Sequence, residues 1–203
     1  MIKNVVFDYG DTLIRFDQDA MLAPYVPDPA DRALAAAVVF DRLYWDRLDR
    51  DAITREEMLQ GFRARLPERL WQGAAKGLDN WFFHVPEMPG MAALVKTIKY
   101  RYQKGLYLLS DVTTAIEPHL KTLPILSEFD GYVLSGTVGV TKPDPAIYRY
   151  LAATYGVDLG ECVFVDNLQR NVEGAERCGM RAYRFDGDAE KLAAYLDGIL
   201  RES

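Results

Sequence analysis

The chain is poor in the residues that usually mark a metal cluster, a disulfide framework or a hydrolytic triad. Its 203 residues include two cysteines, Cys162 and Cys178, and two histidines, His84 and His119. Two cysteines without metal-type spacing point to a reducing compartment, the cytoplasm by default. So few histidines disfavour serine or cysteine triads; His84 follows the aromatic run Trp81-Phe82-Phe83 and reads as a packed or hinge residue. Basic residues are also scarce, 24 Lys plus Arg against 30 Asp plus Glu, for a net charge of -6. A nucleic-acid partner would want a basic face, so none is expected. The longest uninterrupted apolar run, Ala33 to Phe40, is far below the roughly 20 residues of a membrane span. Met1-Ile2-Lys3-Asn4 lacks the pattern of a secretory signal. Repeats, low-complexity tracts and long Gly/Ser linkers are missing too. At 49% apolar and 27% charged, the composition predicts a soluble cytoplasmic protein: one domain, or a core plus a small insert.

What is present is a set of short apolar runs, each stopping at a polar residue. Ile2 to Phe7 stops at Asp8, Gly105 to Leu109 at Ser110, Tyr132 to Leu134 at Ser135, and Cys162 to Val165 at Asp166. Such runs, without polar alternation, read as strands buried on both faces of a parallel sheet. Between them lie helical periods: Met91 to Tyr102, Pro145 to Tyr155 before Gly156, Val172 to Cys178 before Gly179, and Ala189 to Leu200. Strands alternating with helices predict an α/β fold with right-handed crossovers. Every strand then delivers its carboxyl end to one edge of the sheet, where ligands bind, so Asp8, Ser110 and Asp166 are expected to meet.

Residues 17–85 break the alternation. Ala33 to Leu48 reads as one long amphipathic helix, Thr54-Arg55-Glu56-Glu57 as a capping box opening another, and Arg65 to Gly77 and Leu78 to Phe83 as further helix. A helical insert is therefore expected directly after the first strand, with Pro86 to Gly90 returning the chain to the core.

These motifs resemble those of the haloacid dehalogenase-like (HAD) hydrolases, mostly phosphatases. Asp8-Tyr9-Gly10-Asp11-Thr12-Leu13 is similar to their first motif, Leu108-Leu109-Ser110-Asp111 to the second and Lys142-Pro143-Asp144-Pro145 to the third. The stretch from Val165 to Ala175 resembles the fourth. Four motifs in order, each at a strand end, make the likeness specific. It is nearest to sugar-phosphatase-like members and to the amino-terminal domain of soluble epoxide hydrolases. The resemblance implies a Rossmann-like core over 1–16 and 86–203 and a helical cap over 17–85. It implies Asp8 as a nucleophile forming an aspartyl-phosphate, a carboxylate that needs neighbouring positive charge to attack phosphorus. Ser110 and Lys142 complete the catalytic set, with Thr12, Ser110, Asp111 and Lys142 around the phosphate. Mg²⁺ is implied among Asp8, the Gly10 carbonyl, Asp166 and Asn167, with Asn171 holding the fourth motif's loop. The implied partner is a small phosphorylated metabolite such as a sugar phosphate, held by a monomer or homodimer.

Each residue has a plainer reading. Asp8 would cap a turn, yet a carboxylate ending a buried strand costs desolvation without a purpose. Lys142 would be a loop charge, and Asn171 a helix cap. Two departures from the family pattern stand out. Gly10 occupies the place of a second aspartate, the usual general acid, and Asp11 beside it points elsewhere. Asn167 replaces a metal-binding aspartate, which predicts weaker Mg²⁺ binding and lower turnover. These substitutions keep two alternatives open: a metal-independent 2-haloacid dehalogenase, and a binding protein with a disabled site. Substrate choice is expected in the insert, where Tyr44, Trp45, Trp71 and Trp81 would line a cavity or pack between helices. Arg15 would reach an anionic substrate or remain solvated.

Overall fold

The computed structural model describes residues 1–201. Strand β1 (Asn4–Phe7) lies in the middle of a five-stranded parallel sheet. The chain then forms α1 (Gln18–Leu22), α2 (Pro29–Val39), α3 (Arg42–Leu48), α4 (Arg55–Arg65) and α5 (Glu68–Asn80), followed by a 3-10 turn over Trp81–Phe83. It returns through α6 (Met91–Lys96) to β2 (Gly105–Ser110), then β3 (Gly131–Leu134), α7 (Ser135–Val138) and α8 (Pro145–Tyr155). Finally come β4 (Cys162–Asp166), α9 (Gln169–Arg177), β5 (Arg181–Arg184) and α10 (Ala189–Leu200). The strand order is β3-β2-β1-β4-β5, so the expected α/β architecture with a parallel sheet is observed.

Burial on both faces explains the continuous apolar runs. Val5 and Phe7 of β1, Leu106 and Leu108 of β2, and Val163 and Val165 of β4 point into one core, shared with α6, α10 and the helices between β1 and β2. Val6, Leu109, Cys162 and Phe164 point the other way, onto Ile147, Tyr148 and Leu151 of α8 and Ala175 of α9. Each such apolar side chain contributes roughly 1.5–3 kcal/mol of burial. Helix α8 starts where the sequence predicts: Asp144 accepts from the Ala146 N–H at 2.8 Å, Pro145 opens the first turn, and Gly156 (φ 64°) ends it.

Four details differ from the sequence-based expectation. The stretch from Ala33 to Leu48 is two helices, because Asp41 turns extended and its side chain accepts the Leu43 N–H at 3.0 Å, capping α3. α5 begins at Glu68, since Leu66 before Pro67 is extended, as steric clash with the proline ring demands. α6 relaxes into a π-helical turn over Thr97–Arg101. β5 was not anticipated; its Arg-Ala-Tyr-Arg sequence carries no apolar run because it is an edge strand, exposed at both ends.

The two chain passages joining the sheet to the helical segment run side by side. The Arg15 N–H donates to the Pro86 carbonyl at 2.8 Å and the Met88 N–H to the Leu13 carbonyl at 2.9 Å. Nearby, Tyr25 Oη lies 2.8 Å from His84 Nε2, so His84 packs against the start of the helical segment. Among the described residues, no helix is long and apolar enough to cross a membrane.

Candidate active site

Strand register assembles the site. Phe7 is level with Leu108 of β2 and Val165 of β4, so Asp8, Ser110 and Asp166 emerge together at the carboxyl edge. The Asp8 N–H continues the ladder, donating to the Val165 carbonyl at 2.9 Å. From β1 the chain builds outward through β2 to β3, then crosses to β4 on the opposite side of β1. This reversal opens a crevice beside β1, and the crossing segment carries Lys142 into it.

Lys142 is 3% exposed, and each of its three ammonium protons has an acceptor. It bonds Asp8 Oδ1, the Leu109 carbonyl at 2.9 Å and Asp166 Oδ2 at 3.1 Å, and lies 5.5 Å from the centroid of the Phe164 ring. Its own N–H donates to Asp111 Oδ1 at 2.9 Å, so Asp111 holds the lysine's loop. Burial opposes the positive charge, but Asp166, Asp8 and Asp111 together outweigh it and raise the lysine's pKa. Asp8 is pushed up to about 7, chiefly by burial; Lys142 more than offsets the repulsion from Asp166 and Asp111 but does not cancel the cost of burial. One ammonium serves two buried carboxylates, and the lysine keeps its proton.

Asp166 is fully buried and braced on every side: Oδ1 accepts the Leu168 N–H at 2.7 Å, and Oδ2 accepts Asn171 Nδ2 at 2.9 Å as well as the lysine. Thr12 Oγ1 lies 3.5 Å from Asp8 Oδ2, at the outer limit of a hydrogen bond. Above these groups is a cavity of about 460 Å³. Asp8, Gly10, Asp11, Ser110, Asp111, Lys142, Asn167 and Asn171 line it, so most residues singled out from sequence converge there, with Asp166 just beneath and Thr12 wholly buried behind Asp8. Asp11 is held by its turn: at φ 53° its Oδ1 accepts the Phe16 N–H at 2.8 Å.

Sequence reading missed part of the lining. Arg42, Asp46, Asp49 and Arg50 reach the cavity from α3 and the turn after it, with Phe16 and Arg170. Arg42 pairs with Asp46 at 2.9 Å, and the Arg50 Nε donates to the Asp46 carbonyl at 3.1 Å. Arg15 is exposed, its backbone committed to the Pro86 pairing. Of the insert aromatics, Trp45 lines the cavity and packs with Phe16, Phe40 and Trp81. Trp81 is buried within that cluster, Tyr44 stacks under Arg65, and Trp71 donates to the Leu66 carbonyl. Cys162 is buried, and burial raises both cysteine pKa values, Cys178 less than Cys162, so neither is primed as a nucleophile.

The donor set suits a small hard cation. Asp8 Oδ2 has only the long Thr12 contact, the buried Asn171 Oδ1 has no hydrogen-bond partner, and Gly10 and Asn167 add further oxygens to the same cavity wall. These are oxygen ligands, one of them an anionic carboxylate burdened by its neighbours, and Mg²⁺ completes such partial shells with water. Among the described residues no three His, Cys, Asp or Glu side chains cluster as a metal site.

A family profile described as haloacid dehalogenase-like hydrolase matches residues 2–179. The phosphatase MT3486 of Mycobacterium tuberculosis is 37% identical over 73 residues, 36% of this chain and 32% of that relative, about a third of its length. Two solved structures show the fold. One is a HAD family enzyme from Bacteroides thetaiotaomicron, an aspartate-to-alanine variant in complex with magnesium and inorganic phosphate (TM-score 0.69, 20% identity, 95% of this chain and 99% of that one). The other is L-2-haloacid dehalogenase from Xanthobacter autotrophicus with chloropropionic acid covalently bound (TM-score 0.68, 21% identity, 98% and 83%). With the profile spanning most of its length and the sheet-edge site in place, the chain belongs to the haloacid dehalogenase-like hydrolases.

Proposed function

We propose that the protein is a phosphatase of a small phosphorylated metabolite, with Asp8 as nucleophile and residues 17–85 acting as a cap over the site. The observation that carries this reading is the buried Asp8 carboxylate bonded to a saturated Lys142 at the floor of a polar cavity. Asp8 attacks phosphorus through one carboxylate oxygen to form an aspartyl-phosphate. Lys142 holds Asp8 in place and offsets the charge that gathers as two anions approach. Ser110 donates to a phosphoryl oxygen, and Asp111 acts at one remove by fixing the lysine's loop. Asn171 and the Leu168 N–H hold Asp166, which keeps the lysine oriented. The Asp8 carboxylate, the Gly10 carbonyl and the Asn167 side-chain oxygen would hold Mg²⁺, with Asp166 behind them; bound there, it would neutralise phosphoryl charge.

The cavity's size favours a small substrate, and its arginines, Arg42, Arg50 and Arg170, favour an anionic one. The phosphatase relative and the neighbour holding magnesium and phosphate support the same reading. Two unpaired cysteines agree with a cytoplasmic protein. A second reading, metal-independent dehalogenation through the same aspartate, is favoured by Gly10 and Asn167, which stand where the phosphatase pattern carries aspartates. A phosphate-release panel of sugar phosphates and an aryl phosphate, with and without Mg²⁺ and with Asp8→Asn as control, tests the proposal. Mg²⁺-dependent release abolished by Asp8→Asn supports it. Halide release from a 2-haloacid in EDTA, without phosphate release, replaces it with the second reading. Neither activity leaves the binding-protein alternative.

A further inference from the structure

Expelling an alkoxide from a phosphate monoester requires a proton, and the cavity holds several carboxyl groups that could supply one. Asp8 is committed to phosphorus. Asp11 is exposed and its Oδ1 is tied to the Phe16 N–H. Asp46 is half-buried and paired with Arg42. Asp111 is tied to the Lys142 N–H. Asp49 differs from all of them. It is 7% exposed, lines the cavity, and its Oδ1 is buried without a hydrogen-bond partner.

Asp49 is also held firmly. Its N–H closes the end of α3 on the Trp45 carbonyl at 2.9 Å, and its own carbonyl accepts the Ser135 hydroxyl at the end of β3. Ser135 in turn accepts the Val112 N–H at 2.8 Å. The carboxyl group is thus placed from the helical segment but anchored to the sheet edge that carries Ser110. A carboxyl group that is buried at a cavity wall and leaves one oxygen without a partner favours its neutral, proton-bearing form. Its surroundings agree. Burial, and after it the charges of Asp111 and Asp46, hold its pKa well above the carboxylate range against the opposing pull of Arg42 and Lys142. Asp8, Asp11, Arg50 and Arg170 are the other ionisable groups on the cavity wall.

We propose that Asp49 is the proton donor to the leaving group, taking the place that Gly10 leaves vacant. The inference rests on the phosphatase reading above. In the first step an Asp8 oxygen bonds to phosphorus, the bond from phosphorus to the ester oxygen breaks, and that oxygen takes the Asp49 proton to leave as an alcohol. In the second step water attacks phosphorus and gives a proton to the Asp49 carboxylate. The bond from Asp8 to phosphorus breaks, inorganic phosphate departs, and both carboxyl groups regain their starting states.

The test compares an alkyl ester with an aryl ester, because a nitrophenolate leaves without protonation. The wild type, Asp49→Asn and Asp49→Glu are assayed on a sugar phosphate and on p-nitrophenyl phosphate. Asp49→Asn is expected to lower kcat on the sugar phosphate about 10²- to 10⁴-fold and to lower the sugar-to-aryl ratio of kcat by at least about 10²-fold. Asp49→Glu is expected to recover part of that ratio. Equal losses on both esters, in a variant whose circular dichroism matches the wild type, overturn the proposal. If Asp49→Asn does not fold, the wild type alone decides. A high-pH decline in kcat confined to the sugar phosphate supports Asp49, whereas the same decline on both esters overturns it. Failure of the wild type to hydrolyse the aryl ester, or indifference of that activity to Asp8→Asn, instead defeats the phosphatase reading itself.

Discussion

Asp8→Asn should make the metal-free protein more stable while abolishing its activity. In the folded chain the Asp8 carboxyl titrates at about 7, against an ordinary 3.8, because burial and the Asp166 and Asp111 charges outweigh the lysine's attraction. A carboxyl raised in this way binds its proton more tightly when folded. Stability is therefore lost as pH climbs from about 4 to about 7, and the full cost persists above that. At about 1.4 kcal/mol per pH unit, the roughly three-unit gap sets an upper limit of about 4 kcal/mol. Asparagine removes the charge and retains a carbonyl oxygen that still accepts from Lys142. A gain of about 2–4 kcal/mol is expected at pH 8, corresponding to about 5–15 °C in Tm for a chain of this size. At pH 5 the gain should be less than half as large. The assay is thermal and urea unfolding of both proteins in EDTA at the two pH values. A variant less stable than the wild type at pH 8, or a gain equal at both pH values, would refute the reasoning. Either result would mean that the ion pair, and not burial, dominates at this aspartate.

Lys142→Met keeps the aliphatic stem but leaves Asp8 and Asp166 without a counter-charge, and should cost about 3–5 kcal/mol in urea unfolding and remove detectable phosphate release. Gly174→Ala would set a methyl group 2.7 Å from Pro143 Cβ and 2.9 Å from Tyr148 Oη, pressing on the loop that bears the lysine. A loss of about 1–3 kcal/mol by calorimetry, with a lower kcat, is expected. Asp51→Ala removes the acceptor for the Thr113 hydroxyl (2.6 Å) and for the Thr114 N–H and hydroxyl, and should raise KM at least about threefold in steady-state assays while lowering Tm by no more than about 4 °C. Gly10→Asp meets little steric resistance, since a Cβ there has Phe16 Cδ2 at 4.0 Å as its nearest neighbour. In the Asp49→Asn background this change should restore sugar-phosphate turnover at least about tenfold, read as kcat.

The strands of the sheet centre were legible because each is buried on both faces, which leaves a continuous apolar run ending at a polar residue. Asp8, Ser110 and Asp166 followed from that pattern by topology alone. Lys142 did not, because a lysine in a loop before proline carries no sign of burial; only the family resemblance singled it out. β5 lacked any apolar run, since an edge strand flanked by arginines has one neighbour and little to bury. The break between α2 and α3 was missed because Asp41 reads as one more polar residue on a helix face until its side chain is seen capping Leu43. Asp49 was hidden for a deeper reason. Acids and bases alternate through Asp46-Arg47-Leu48-Asp49-Arg50-Asp51, as they do on solvated helices. What distinguishes Asp49 is contact with Ser135, 86 residues away in sequence, and no local pattern encodes that.

That contact also bears on how closure and chemistry are related. Asp49 and Asp51 lie on one tight turn, with Asp51 at φ 50°. Its carboxylate binds Thr113 and Thr114 just beyond β2, while the Asp49 carbonyl takes the Ser135 hydroxyl at the end of β3. Gly136 permits the approach: a Cβ there would stand 2.9 Å from the Asp51 carboxylate. The helical segment is therefore fastened to the sheet beside the very strand ends that carry Ser110 and Asp111. Were this turn to lift, those bonds would break and Asp49 would leave the cavity in the same motion. The carboxyl group would then reach the ester oxygen only with the turn in place, and the water of the second step would have to be held beside it. Under the role proposed for Asp49, such a turn would couple closure to proton delivery through covalent connectivity across two residues, without a signal having to cross the fold.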